Sequence, residues 1–212
     1  MSTLTIMKAR IADELARDDI TSQIAYAISD AIEAYQDERF FFNEGRAITF
    51  TTTASQEFYD SDDAAAIATI QKIDYVVLYV GDTPYHLKAM APADIETAST
   101  NGTNTGQSGW YCWYGNQIRL YPNPADAWTV RIGASIKVAE PATDGETGNP
   151  WMTHAARLIR SRAKLELALH VLMEDELATT MNTAVTEAEA QLKSRTVQLT
   201  MVDQGTIAPM EF

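Results

Sequence analysis

The sequence contains almost no cysteine, little positive charge and no long hydrophobic run. Its 212 residues include one cysteine, 29 acidic residues and 16 basic residues, which give a formal net charge of -13. The lone Cys112 excludes an intramolecular disulfide and a thiolate metal cluster. The sequence pI of about 4.5 argues against a phosphate-binding surface, because such a surface needs clustered lysine and arginine.

The sequence also lacks the hydrophobic segments typical of membrane and secreted proteins. Because no run of about 18 apolar residues is present, no helix is expected to span a membrane. Met1–Leu4 has no basic region followed by an apolar core, so no secretory signal is expected. We therefore expect a soluble protein that is made in a cytoplasm.

Motifs for catalysis and cofactor binding are missing as well. There is no Walker-type phosphate loop, nucleophile elbow or dinucleotide fingerprint, and the three histidines do not have metal-ligand spacing. Asp60–Asp63 resembles the start of a calcium loop, but Ala65 and Gln71 stand where that loop needs glycine and glutamate. We expect a solvated turn there, and no catalytic residue, metal or cofactor.

Helical patterns occupy both ends of the chain. A first helix is predicted over Thr3–Arg17, a second from after Asp18-Asp19 to an end within Tyr35–Arg39, a third from about Trp151 and a fourth over 175–195. The first three carry apolar stripes at helical spacing. These stripes are Leu4, Met7, Ile11 and Leu15; Ile24, Ile28, Ala31 and Tyr35; and Leu158, Leu165, Leu169 and Leu172.

The middle of the chain is predicted to be β-structure. Ile67–Val80 is a long strand region, Trp110–Tyr121 is a hairpin around Gly115-Asn116, and Trp128–Val138 alternates as a half-buried strand does. Pro92 opens a short helix. We predict an α+β fold with an N-terminal helix pair, a central antiparallel β-domain, a C-terminal helix pair and an extended tail. The predicted boundaries are 1–39 and 150–200 for the helical bundle, 40–140 for the β-rich domain and 201–212 for the tail.

Three consecutive phenylalanines join the second helix to the β-region. Phe40, Phe41 and Phe42 cannot all face one core in an extended stretch, because neighbouring side chains point to opposite sides. At least one is therefore expected to pack on the helices or on a neighbouring subunit.

Two other clusters have more than one interpretation. Trp110, Tyr111 and Trp113 put aromatic rings on both faces of one strand, where they form either core or an interface with another chain. Arg157, Arg160 and Lys164 share one helical face. They form either a solvated face paired with acidic neighbours or a contact with an acidic subunit or partner. Contact with DNA is the least favoured interpretation, given the acidic charge.

The last residues are more apolar than a solubilising tail should be. Ile207, Pro209, Met210 and Phe212 lie in this segment. A short extended segment with alternate apolar residues can add a strand to the sheet edge of a partner.

Several strings of packing residues follow one another in a characteristic order along the chain. They are Met7–Ile11, the stripe from Ile24 to Tyr35, Arg39–Glu44, Ile118–Pro124 and Asn149–Trp151. Their order, and that of the predicted elements, resembles the head-to-tail adaptor, or head-completion, proteins of tailed bacteriophages, especially short-tailed ones. The resemblance covers nearly the whole chain.

The resemblance implies a structural, non-enzymatic protein of the virion neck, made in the host cytoplasm. Such proteins form a ring of about twelve copies beneath the portal, extend the DNA channel and provide a surface for tail or nozzle proteins. Family members dock the portal largely through C-terminal segments, which here points to Ile207, Pro209, Met210 and Phe212. DNA would pass through without sequence-specific binding, and no membrane would be involved.

Two alternatives stay open at this point. One is another ring component of the neck or tail, such as a tail tube or nozzle, which a binding test against portal and tail proteins would separate. The other is a virion-associated peptidoglycan hydrolase that uses carboxylates, which a zymogram would detect.

Overall fold

A computed structural model of the protein describes residues 3–99 and 104–202, which form two compact units. The helical unit comprises the described residues up to Phe42 and those from Val138 onward, and the β-unit is Asn43–Lys137. The α+β class predicted from the sequence is confirmed, with helices at both ends and strands between them. The predicted tail, 201–212, falls almost wholly outside the described residues.

The described part of the chain contains six α-helices. They are α1 (Leu4–Leu15), α2 (Thr21–Ala34), α3 (Pro92–Ala98), α4 (Pro150–Thr153), α5 (Ala156–Leu167) and α6 (Asp175–Val202). Helix α1 begins where the Thr3 hydroxyl accepts the Ile6 N–H at 3.3 Å. It ends at Ala16, which adopts the left-handed conformation with φ of 51°, so α1 is shorter than the predicted Thr3–Arg17.

The core of the helical unit forms where α2 and α6 pack on α5. Helix α2 ends at Ala34, with Tyr35 as its C-cap, rather than within Tyr35–Arg39 as predicted. The predicted α2 stripe is buried, and Leu158 and Leu165 of α5 are buried with it. Leu169 is 48% exposed, so the predicted stripe does not continue as expected. The reason is a π-helical turn over Ala168–Leu172, which breaks the 3.6-residue period that placed Leu169 on the buried face.

Nine strands lie in the described residues. They are β1 (Glu44–Thr51), β2 (Phe58–Tyr59), β3 (Ile70–Val80), β4 (Thr83–Ala89), β5 (Thr105–Gly106), β6 (Trp110–Tyr114), β7 (Gln117–Tyr121), β8 (Asn123–Pro124) and β9 (Thr129–Ile136). Seven form one sheet in the order β1-β9-β3-β4-β6-β7-β2, and β5 pairs with β8. The β4–β6 and β5–β8 pairings are parallel, and the others are antiparallel.

The β6–β7 hairpin has the predicted bounds. Its turn residues Gly115 and Asn116 both have positive φ, at 62° and 61°. This is the geometry of a type I′ turn, which a Gly-Asn pair adopts with little strain. The predicted strand from Ile67 instead starts at Ile70, because Ala65–Thr69 forms a 3₁₀ helix.

The β-unit has a core of its own, and β3 and β9 lie at its centre. Val76 and Leu78 of β3 and Val130 and Ile132 of β9 are fully buried. On β9, Gly133 pairs with Tyr75, and a Cβ atom at Gly133 would lie 2.2 Å from the Tyr75 ring. A side chain at position 133 would therefore force the Tyr75 ring, which is 40% exposed, to move.

Candidate functional site

The aromatic joint at Phe40–Phe42 belongs to the helical unit. Phe41–Asn43 forms a 3₁₀ helix, so the segment is not extended. Phe40 is fully buried in the helical core, and Phe41 and Phe42 pack against that core half-buried. Because the backbone turns here, all three rings can lie on the same helical core, which an extended stretch would not allow.

The joint is a cluster of stacked and edge-on rings. Phe42 lies 5.3 Å from the Trp151 ring and 5.4 Å from Phe40, measured between centroids. The His154 ring lies 5.1 Å from Phe41. The guanidinium of Arg195 lies 4.7 Å from the Phe41 ring centroid, a cation–π contact. The outer edge of the joint therefore carries a positive charge.

Polar contacts tie the chain leaving the β-unit to this cluster. The Val138 carbonyl accepts hydrogen bonds from the indole Nε1 of Trp151 at 3.0 Å and from the Gln36 amide at 3.1 Å. The Asn149 side chain caps α4 by accepting the Trp151 N–H at 3.1 Å. Trp151 is therefore held by the Val138 carbonyl and the Asn149 side chain, and Gln36 of the N-terminal part of the chain binds the same carbonyl.

The predicted basic cluster lies on α5 and is partly neutralised within the chain. Lys164 pairs with Glu14 at 2.7 Å, and Arg160 approaches the same carboxylate at 3.4 Å. Arg157 lies 3.5 Å from Glu187. Pairing with acidic neighbours, one of the two interpretations of this cluster, therefore describes part of it.

Two surface cavities flank Arg157. One, of about 170 Å³, is lined by Arg10 and Arg160 as well as by Met7 and Ala156. The other, of about 230 Å³, includes His154 and Arg195 in its lining. Arg10 and Arg195 extend the cluster beyond the residues that the sequence singled out. Helical spacing on α5 predicts its own cations but not those that α1 and α6 contribute.

The aromatic strand β6 has one covered and one partly open face. Tyr111 is buried in the core of the β-unit, and Trp113 packs against the same core. On the other face, Cys112 is buried, whereas Trp110 is 38% exposed and Tyr114 is 76% exposed. Burial raises the pKa of the Cys112 thiol, which disfavours the reactive thiolate.

A buried arginine organises the region where α3 meets the β6–β7 hairpin. Arg119 donates to the Glu96 carboxylate at 2.6 Å and to the Ser99 hydroxyl at 2.7 Å, and it pairs with Glu57. Its guanidinium lies 5.1 Å from the Phe58 ring centroid. In the sequence, the signal for this site is the charged Arg119 between the apolar residues Ile118 and Leu120 of β7.

The acidic turn Asp60–Asp63 uses its carboxylates within the chain. Asp60 accepts the Asp62 N–H and the Gln117 amide, both at 2.9 Å, and these bonds hold the pKa of Asp60 below its usual value. Asp63 accepts the Gln56 amide at 2.9 Å. No cluster of three or more metal-ligating side chains occurs among residues 3–99 and 104–202.

In the described part of the chain, no helix is both long enough and apolar enough to cross a membrane. The tail residues predicted to bind a partner, Ile207, Pro209, Met210 and Phe212, lie outside the described residues.

Comparison with known proteins identifies the family. A comparison with the curated proteins gives no match. The model of one protein family, described as SU10 adaptor protein, matches residues 2–204 and so covers both units. The predicted resemblance to bacteriophage adaptors is confirmed, and the family implies a structural role rather than a catalytic one. The chain belongs to the SU10 adaptor protein family of bacteriophage head-to-tail adaptors.

Proposed function

We propose that this protein is one protomer of an adaptor ring that binds the portal, continues the DNA channel and docks tail or nozzle proteins. The observation that carries the proposal is the family match over residues 2–204, which spans the helical unit and the β-unit together. A ring of about twelve identical copies needs two different lateral faces on each protomer, because each copy contacts the next head to tail.

The C-terminal segment is the proposed portal contact. It contains Ile207, Pro209, Met210 and Phe212. This segment follows the 28-residue helix α6 in the sequence, so the length of α6 separates it from the residues at the start of that helix. At about 1.5 Å per residue, such a helix is about 40 Å long. Apolar side chains on a short segment suit a groove or a sheet edge of a partner.

Exposed aromatic side chains on the β-unit are the proposed contacts with neighbouring or tail proteins. Trp110 and Tyr114 keep 38% and 76% of their surface exposed, although rings of this size usually gain stability from burial. Trp and Tyr are also common at interface hot spots. Tyr111 and Phe40 are buried within their own units and supply packing rather than surface.

The acidic charge suits a channel component. A net charge of -13 repels a phosphate backbone, so the duplex would slide past without being held. We therefore expect no measurable affinity for duplex DNA at physiological salt.

A portal-binding assay with tail variants tests the proposal. Replacing Ile207, Met210 and Phe212 together with serine should abolish binding of the full chain to purified portal rings. The matched control replaces the neighbouring polar residues, as Thr206→Ser and Glu211→Gln, and should bind as the wild type does. Melting temperatures should be the same for all three proteins.

Unchanged portal binding by the serine variant would refute the tail assignment. If the wild type binds a tail or nozzle protein but not the portal, the protein would belong further along the neck than proposed.

A further inference from the structure

The helical unit carries a groove of positive charge on an acidic protein. The arginine groove consists of Arg10 on α1, Arg157 and Arg160 on α5, and Arg195 on α6. These residues line the two cavities of about 170 Å³ and 230 Å³, which share Arg157. No aspartate or glutamate of the described residues lines either cavity. For a chain with 29 acidic residues and 16 basic ones, that composition is unusual.

The groove keeps cationic capacity that the chain itself does not use. Arg10 and Arg195 form no ion pair among the described residues, and Arg195 makes a cation–π contact with the face of Phe41. The Arg157–Glu187 pair is long, at 3.5 Å, with 55% and 65% of the two side chains exposed. Glu14 is shared between Arg160 and Lys164. The exposed Arg157–Glu187 pair is weak and competes poorly with other anions, and the partly buried Glu14 carboxylate is divided between two cations.

The floor of the groove is apolar. Met7 and Ala156 line the first cavity, and Leu158, Ala188 and Leu192 line the second. An arginine fork above an apolar floor fits a carboxylate on a short hydrocarbon stem, because the fork takes both oxygens and the floor takes the methylene groups. Glutamate and aspartate side chains of a protein surface have this chemistry.

We propose that the arginine groove binds carboxylate side chains of a second copy of this chain. This inference rests on the proposed ring and names one of its lateral contacts. Copies with a net charge of -13 repel one another, so a cationic face on one copy that meets the acidic surface of the next would favour a head-to-tail contact. The groove is such a face. The same net charge disfavours DNA as the occupant.

The test uses two double variants with the same change in net charge. Arg10→Glu with Arg157→Glu alters the groove. Lys72→Glu with Lys88→Glu alters two exposed lysines of the β-unit and serves as the control. Circular dichroism melts establish that both variants fold, since all four side chains are exposed.

Self-association of the full chain is measured by sedimentation velocity at about 0.1 M and about 1 M salt. The higher salt concentration shortens the electrostatic screening length from about 10 Å to about 3 Å. Cooperativity of binding to portal rings is measured in parallel. We expect the groove variant to associate with itself at least about tenfold more weakly than the wild type, or to bind the portal without cooperativity. The control should behave as the wild type, and high salt should weaken the wild-type association.

Equal behaviour of the groove variant and the control in both assays would overturn the proposal. Binding of duplex DNA that is lost in the groove variant but kept in the control would assign the groove to nucleic acid and overturn it as well. The adaptor function is judged separately, because the groove variant should still bind the portal as single copies. A wild type that never binds the portal would refute the adaptor function, while sedimentation would still decide the groove.

Discussion

The two units hold their structure in different ways. The helical unit is assembled from the two ends of the chain, and its core is large apolar and aromatic side chains such as Phe40 and Trp151, both fully buried. The β-unit is one continuous segment in which strand register, a close glycine and the buried ion cluster of Arg119 fix the arrangement. We infer that the helical unit is most sensitive to loss of volume, and the β-unit to loss of a specific geometry or charge.

Truncating Phe40 should have the largest effect on the helical unit. Phe40→Ala removes a fully buried ring that contacts Phe42 and Trp151. We expect a loss of about 3–5 kcal/mol in the free energy of unfolding, because the cavity cannot fully collapse. Chemical denaturation followed by far-ultraviolet circular dichroism measures it.

Tyr26→Ala is the control for that variant. Tyr26 lies in the same unit but is 69% exposed, so the change should be within about 0.5 kcal/mol. Similar losses in the two variants would mean that the aromatic joint does not anchor the helical unit.

Removing the charge of Arg119 should have the next largest effect, in the β-unit. Arg119→Met removes a buried cation and leaves Glu57, whose side chain is 30% exposed, without its partner. We expect a loss of about 2–3 kcal/mol in the free energy of unfolding, because the charge-assisted hydrogen bonds of the guanidinium are lost and Glu57 stays partly desolvated. Thermal melts that follow tryptophan fluorescence report it, since Trp110, Trp113 and Trp128 all belong to this unit.

Arg131→Met is the matched control for the Arg119 variant. Arg131 lies 5.2 Å from the centroid of the Tyr79 ring and is exposed, so its loss should cost about 1 kcal/mol or less. A loss no larger than that of the control would show that the ion cluster of Arg119 does not hold the β-unit.

Gly133→Ala tests the geometry of the sheet. The added methyl group would lie 2.2 Å from the Tyr75 ring, so the ring has to move. We expect a loss of about 1–3 kcal/mol in the free energy of unfolding. Combining it with Tyr75→Ala should remove most of that cost, because the ring no longer fills the space. Gly109→Ala, which has no atom within 4 Å of its added methyl, should be nearly neutral.

Alkaline pH should distinguish the stabilities of the two units less than the substitutions do, because both units contain buried tyrosines. Burial raises the pKa of Tyr59 and Tyr111 in the β-unit and of Tyr35 in the helical unit. A raised folded-state pKa means that the stabilisation is complete below the unfolded value of about 10 and is lost as the pH rises through the folded value. Ultraviolet titration of tyrosinate should show these groups ionising late, together with unfolding. Ionisation of all nine tyrosines near the ordinary value would contradict this.

Local patterns predicted the elements whose geometry is set by their own residues. The hairpin around Gly115-Asn116 follows from backbone freedom at two positions, and α3 follows from Pro92 at its first turn. The apolar stripe of α2 predicted its buried face. The fold class therefore follows from the sequence, since the hydrophobic periodicity and the turn residues indicate the same helices and strands over most of the chain.

Features that depend on distant partners were not predictable in this way. The 3₁₀ helix at Phe41–Asn43 and the parallel β4–β6 pairing arise from packing, and no residue pattern marks them. The Lys164–Glu14 pair joins residues 150 positions apart, and the cations of the arginine groove come from three helices. Helical spacing identifies the residues that one helix contributes to such a site, but it does not identify those that other helices contribute.

The insertion of the β-unit between the two parts of the helical unit has a consequence during synthesis. Helices α1 and α2 leave the ribosome first, but their partner α5 follows about 120 residues later, which is a delay of roughly 6–25 s at about 5–20 residues per second. The continuous β-unit can fold in that interval. The apolar face of α2 meanwhile stays without its partner, so chaperones have a defined period in which to bind the nascent chain.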